Sequence, residues 1–127
     1  MRELLLVGSG GFLGSVARYL LSGAVTQIAT ASRFPFGTLV VNTLGCLFIG
    51  ALSGVAENSG AFTANTRLLL FTGVLGGFTT FSAFAFETWF LTREQAWPLA
   101  VANITAQLVL GLAAVTIGHQ TAMLAGR

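Results

Sequence analysis

From Gly73 to Phe84 the chain reads Gly73-Val74-Leu75-Gly76-Gly77-Phe78-Thr79-Thr80-Phe81-Ser82-Ala83-Phe84, placing three glycines and three hydroxyl residues inside an apolar segment. A membrane-spanning helix is expected there, and this composition predicts that the helix is broken. Irregular backbone at membrane depth leaves amides and carbonyls unpaired, so it persists only where it is buried in protein or lines a polar pathway. The break is therefore a pointer to function. Freed carbonyls can hold a cation, and Phe81 and Phe84, three residues apart, can present two ring edges on one helix face.

The rest of the chain agrees with a membrane setting. Of its residues 54% are hydrophobic and 8% charged, well below the charged share of soluble domains. The sequence predicts an all-α integral membrane protein. Its 127 residues leave room for four or five spans at most, at about 20 residues for each crossing of the hydrocarbon core. Four fit comfortably, within a single transmembrane domain covering 1–127. The spans are placed at about 3–22, 36–56, 67–91 with a break near 76–80, and 98–118. No soluble domain follows the first apolar run, so it is read as a retained helix and not as a cleaved signal. Pro35 suits the first turn of the second helix, Asn58-Ser59-Gly60 suits a turn, and Trp89 and Trp97 bracket the Arg93-Glu94-Gln95 loop as interfacial aromatics do.

Several chemistries are excluded. Cys46 is the one cysteine and has no partner in the chain for a disulfide or a thiolate metal site; it reads as a packing residue. The six basic residues are all arginines, set against four acids and forming no basic run, so no nucleic-acid partner is expected. Gly8-Ser9-Gly10-Gly11 is not a phosphate loop, which needs a trailing lysine and a preceding strand. With no nucleophile and base pair, no metal-ligand cluster and no cofactor loop, the chain is not expected to be an enzyme.

Charge predicts an unusual topology. With four spans the termini share one side, which then carries Arg2, Arg67 and Arg127, while the other carries Arg33, Arg93 and Arg18. Orientation is set by an asymmetry of Lys and Arg across the membrane, and here there is none. The chain is therefore expected to insert both ways and to pair with an inverted copy of itself. Gly10 and Gly14, Gly50 and Gly54, and Gly73 and Gly77 each recur at four residues, a spacing that lets helix backbones approach in lipid. Four short helices do not easily enclose a polar pathway, and a dimer is the smallest assembly that does.

Three spaced segments carry a family resemblance over nearly the whole chain. Gly10-Gly11-Phe12-Leu13-Gly14 leading to Arg18-Tyr19, then Gly37-Thr38-Leu39-Val40-Val41-Asn42-Thr43-Leu44-Gly45, then Gly76-Gly77-Phe78-Thr79-Thr80-Phe81-Ser82 resemble the signature segments of the CrcB/Fluc fluoride channels. The resemblance implies an antiparallel, dual-topology homodimer with two fluoride pores and a structural sodium ion at its centre. It also implies passive, electrogenic export of fluoride across a prokaryotic inner membrane.

The residues can be weighed beside that resemblance. Fluoride holds its water strongly, so a selective path must replace hydration with close donors or positive edges, and phenyl rings carry positive edges. Phe81 and Phe84 match the family's pore-lining phenylalanines; otherwise they are lipid-facing or core aromatics. Asn42 matches the pore asparagine, and its carboxamide can donate to an anion, although an interhelical hydrogen bond is the alternative. Thr38, one turn earlier on the same face, is a further polar candidate. Ser82 and Thr80 can offer hydroxyls near the rings, or bond back to their own backbone. The carry-over for sodium is to the backbone carbonyls of Gly76 and Thr79, two from each subunit. Arg18 either lies in an aqueous vestibule, as the family motif implies, or snorkels to headgroups.

The fourth span departs from the family. A track of hydroxyls four apart is expected there, but the aligned positions are Asn103, Gln107 and Gly111. Glu87 in the third span pairs with an arginine or sits near the interface, and His119 reads as a solvated interfacial histidine with proton sensing as the alternative. Two rival functions are a small dual-topology multidrug transporter and a membrane scaffold without transport. The first needs an acid in the first span, and none lies between Leu4 and Ser22. The second leaves the broken helix unexplained.

Overall fold

Lipid offers no partner to a bare amide or carbonyl, so long apolar runs close their own hydrogen bonds by winding into helices. The structure, a computed structural model, describes residues 1–60 and 62–126; Arg127, counted above among the terminal charges, lies outside the described residues. Helix α1 is Arg2–Ile28 and α2 is Phe36–Ser59. The third span, Ala64–Arg93, is composite: α3 (Ala64–Arg67), a π-helical stretch (Leu68–Leu75), α4 (Gly76–Phe78) and α5 (Phe81–Arg93). Helix α6, Trp97–Ala125, is the fourth span. All four spans are long and apolar enough to cross a membrane, making this a multi-pass membrane protein.

The helices outlast the apolar pattern. Helix α1 continues past Ser22 to Ile28 and α6 past Gly118 to Ala125. At about 1.5 Å per residue such helices exceed a ~30 Å hydrocarbon core, so their polar last turns lie at headgroup level. Apolarity marks the depth of the core; backbone bonding decides where the helix stops.

The third span breaks at Thr79 and Thr80, inside the expected window. Thr79 (φ −84°, ψ 156°) and Thr80 (φ −148°, ψ 111°) are both extended. Thr80 then caps α5, its hydroxyl accepting from the Ala83 N–H at 3.1 Å. Upstream, the Gly76 N–H reaches back to the Phe71 carbonyl, the wide π spacing. Such turns are rare and concentrate at functional sites; no feature of the sequence announces this one.

Two helix pairs build the fold. Helix α1 packs on the π-helical stretch and α4, and α2 packs most extensively on α6. The glycine spacings sit in these seams. A Cβ on Gly10 would stand 2.6 Å from the Leu69 carbonyl oxygen, and one on Gly14 would collide with the Val74 carbonyl oxygen. In the other seam, Gly50 lies against the Val115 backbone and Gly118 against the Leu47 backbone. The interior between the pairs is thin: Val41, Leu75, Phe78, Leu91 and a few alanines are buried, while large apolar side chains such as Leu4, Phe12 and Leu112 face outward, as suits a lipid surround.

The connections use local chemistry. Gly60 closes α2 in the left-handed conformation (φ 61°) with its N–H on the Ala56 carbonyl, a helix end that glycine favours. Gln95 also takes a positive φ, 57°, in the loop before α6. Arg33 and Glu94 meet at 3.3 Å, so the first and third interhelical connections share one end of the molecule. Glu57 and His119, 3.0 Å apart, mark the other end.

Candidate functional site

The centre of the site is the broken backbone and the side chain that holds it. Asn42 of α2 faces the break: the Thr80 N–H donates to its Oδ1 at 2.8 Å, and its Nδ2 donates to the Thr80 carbonyl at 3.1 Å. Asn42 Oδ1 thus replaces the acceptor that a continuous helix would have offered the Thr80 N–H, while Nδ2 adds a bond to the carbonyl at the start of α5. Its other Nδ2 hydrogen goes to Oε1 of Gln107 on α6, also at 3.1 Å. A carboxamide has two N–H donors, and both are used. The interhelical hydrogen bond weighed as an alternative for Asn42 is therefore present, and it leaves no Asn42 donor free.

The same arrangement releases two carbonyls. In a continuous helix the Gly76 carbonyl would accept from the Thr80 N–H and the Thr79 carbonyl from the Ala83 N–H; these amides are given instead to Asn42 Oδ1 and to Thr80 Oγ1. Among the described residues no group of three His, Cys, Asp or Glu could hold a metal. The oxygens at the break are those of the backbone and of neutral side chains. Freed carbonyls are hard ligands suited to an alkali-metal ion, and Gly76 and Thr79 fit that requirement. The Thr79 hydroxyl is occupied with the Leu75 carbonyl at 3.0 Å.

Beside the break lies a cavity of about 370 Å³, lined by Asn42, Gly76, Thr79, Thr80, Phe81, Phe84 and Gln107, with Cys46 among its apolar walls. The Phe81 and Phe84 rings meet edge to face, centroids 5.4 Å apart at 64°. Phe81 is 78% exposed. Like Leu4 and Leu112, it is an apolar side chain that the chain itself leaves uncovered. Ser82 lines neither cavity; its hydroxyl pairs with Thr80 Oγ1 at 3.2 Å.

A second cavity, about 480 Å³, opens on the other side of Thr80 and is lined by Ser15, Arg18, Ser22, Thr38, Thr80 and Glu87, among others. Arg18 is thus set at a cavity. Thr38 is 5% exposed and donates to Glu87 Oε1 at 2.6 Å. Glu87 is not paired with an arginine among the described residues; its bond is to a hydroxyl, and Oε2 is buried without a partner. Thr80 lines both cavities and is the one residue common to their walls.

Helix α6 contributes two carboxamides. Asn103 is fully buried, its Nδ2 donating to Thr88 Oγ1 at 2.9 Å, and its Oδ1 has no partner. Gln107 Nε2 is likewise buried and unpartnered, which costs about 1–3 kcal/mol for such a group. Gly111 lies against Cys46. The sequence marked this stripe as a departure from the expected hydroxyl track; it did not reveal that Gln107 contacts Asn42. Ser15, on the face of α1 that carries Arg18 one turn later, was also missed, although its three-residue spacing from Arg18 was there to be read.

The chain matches, over residues 5–119, a family model described as CrcB-like protein, Camphor Resistance (CrcB). It is 46% identical over 120 residues to the fluoride-specific ion channel FluC of Methylobacillus flagellatus, covering 94% of each chain. The FluC of Maridesulfovibrio salexigens is 42% identical over 118 residues, 93% of each chain. A protein of Methanosarcina acetivorans named fluoride-specific ion channel FluC 1 is 41% identical over 123 residues, 97% of this chain and 92% of that one.

Proposed function

This chain belongs to the CrcB-like family, and from that premise we propose that it is a passive, electrogenic, fluoride-selective channel exporting fluoride across a prokaryotic inner membrane. The observation that carries the reading is the meeting, around the break at Thr79 and Thr80, of paired phenyl edges with a mid-membrane carboxamide cluster in one cavity. An anion reaches the vestibule under the field of Arg18. It then exchanges water for the positive ring edges of Phe81 and Phe84 and for polar hydrogens near Thr80. Thr38 borders the path and Ser82 reaches it only through its bond to the Thr80 hydroxyl, while Asn42 holds the backbone in place.

The working unit is an antiparallel homodimer with two pores. Support comes from the even arginine count and from Phe81, whose exposed ring needs a surface to complete a path. A sodium ion, held by the Gly76 and Thr79 carbonyls of both copies, would supply fixed positive charge there; the two freed carbonyls in each chain support this reading. The drug-transporter alternative gains nothing, since the first span holds no acid between Leu4 and Ser22.

Fluoride efflux from liposomes containing the purified chain tests the proposal, read by a fluoride electrode with chloride as the matched control. Rapid efflux that depends on a potassium ionophore to carry compensating charge is the expected result. A folded, dimeric protein that releases no fluoride would overturn it.

A further inference from the structure

Phe86, Trp89, Phe90 and Arg93 recur along α5 at three- and four-residue spacing, which sets them on one helix face. They stand in a row. The Phe86 and Trp89 ring centroids lie 5.8 Å apart and those of Phe86 and Phe90 6.4 Å, and the Arg93 guanidinium carbon is 5.1 Å from the centroid of Trp89. All four are exposed, Phe86 at 62% and Trp89 and Phe90 at 50% each. The other side of α5 is the one that packs: Leu91 is buried, Thr88 accepts from Asn103 of α6, and Glu87 accepts from Thr38 of α2. Counted round the helix at about 100° per residue, the row lies roughly opposite Phe84 and the cavity it lines. Neither the break nor either cavity makes use of it.

We infer that this face of α5 is the binding site of one anionic phospholipid, its phosphate on the Arg93 guanidinium and an acyl chain along the Phe86, Trp89 and Phe90 rings. Charge selects the headgroup. Among the described residues Arg93 is in no ion pair, whereas Arg33 and Glu94 at the same end meet at 3.3 Å and offset each other. At this corner one positive charge is left over. A lipid with one negative charge balances it, while a zwitterionic lipid brings an ammonium that finds no free carboxylate here. Arginine stays charged, and its planar fork matches two phosphate oxygens. Depth agrees with this occupant. Arg93 ends the third span, at headgroup level, and Phe86 lies about 10 Å below it among the acyl chains. Trp89 holds the guanidinium over its ring face and so fixes where the phosphate sits. The inference does not depend on the fluoride reading.

The chain has two tryptophans, Trp89 and Trp97, so Trp97→Phe leaves Trp89 as the one indole fluorophore. The full chain is reconstituted in phosphatidylcholine vesicles in which a minority of the lipid carries bromines, a short-range quencher, on either phosphatidylglycerol or phosphatidylcholine. Phosphatidylglycerol is expected to reach Trp89 with about fivefold preference, the strength of one arginine at an anionic headgroup. Arg93→Gln is expected to remove that preference, and Arg2→Gln, at the opposite end of the molecule, to leave it unchanged. Equal quenching by the two lipids overturns the inference with Arg93 still in place, so a variant that fails to fold does not shelter it. A preference that survives Arg93→Gln, or that Arg2→Gln removes as well, also overturns it, because it then reports the net charge of the chain. Quenching by neither lipid means that protein, a second copy included, covers the row of rings, and overturns it too.

Discussion

Asn42 and Thr80 exchange two hydrogen bonds, with the Thr80 N–H on Oδ1 at 2.8 Å and Nδ2 on the Thr80 carbonyl at 3.1 Å. One side chain from α2 thereby closes the backbone opened between α4 and α5. The Thr80 N–H is the group that most needs this bond, because the break has removed its helical acceptor.

Asn42→Ala is expected to destabilise the fold by about 1–3 kcal/mol, since it strands the part-buried Thr80 N–H, which has no helical acceptor. Asn42→Asp keeps the acceptor for the Thr80 N–H but sets a second oxygen against the Thr80 carbonyl and Gln107 Oε1, so it too should destabilise the fold. Denaturation in detergent checks both variants. Stability equal to the parent's in either would show that the Asn42 bonds do not hold the break.

Gly14→Ala places a methyl on the Val74 carbonyl and 2.8 Å from the Phe78 nitrogen, both backbone atoms that cannot swing aside. The α1 seam with the third span should open, with a loss of about 2 kcal/mol or more from overpacking. Gly8, around which nothing lies within 4 Å, is the control: Gly8→Ala should be neutral or stabilise by up to about 1 kcal/mol through helix propensity. Equal thermal stability for the two variants would mean that the seam accommodates a methyl group.

Phe81→Ile removes a ring edge while keeping apolar bulk. Because the Phe81 side chain is 78% exposed in the single chain, the monomer fold loses little packing, and fluoride efflux should fall at least about tenfold, the loss of one favourable contact of ~1.4 kcal/mol. Unchanged efflux would remove Phe81 from the pathway.

Thr38 and Glu87 should be energetically coupled through their 2.6 Å bond. In a double-mutant cycle of Thr38→Val and Glu87→Gln, the coupling is expected at about 1–2 kcal/mol. Additive effects on unfolding would show that the bond contributes nothing to stability.

Four lysines appended to the C-terminus should force a single orientation by breaking the even arginine distribution. Under the antiparallel proposal, fluoride resistance in cells is then lost and returns on co-expression of a form biased the other way. Resistance that is indifferent to the added charge would rule out inverted pairing.

Much of this was legible in the chain because it is local. Hydropathy over 20 or so residues gives the four spans, and glycine spacing at four residues gives the seams. Gly76, Gly77 and the paired threonines mark the break, since no neighbour is needed to make such a run a poor helix. Two features were only half legible. Asn42 stands out in the sequence as a mid-span carboxamide, but whether it donates to an anion or to another helix depends on what stands opposite. For Glu87 the sequence leaves an arginine partner or an interfacial place open, and a threonine hydroxyl is what it meets.

What the tertiary structure alone decided is pairing at long range. Asn42 meets Thr80 at 38 residues' separation and Gln107 at 65, and Thr38 meets Glu87 at 49. Nothing in residue type or periodicity specifies such partners. They follow from how α2 and α6 lock through Gly50 and Gly118 while α1 and the third span lock through Gly10 and Gly14. The sequence by itself determined that the chain crosses the membrane four times and breaks once. Which amides that break consumes, and which it leaves free, was decided by the two seams, because a hydrogen bond is satisfied by distance in space and not by position along the chain.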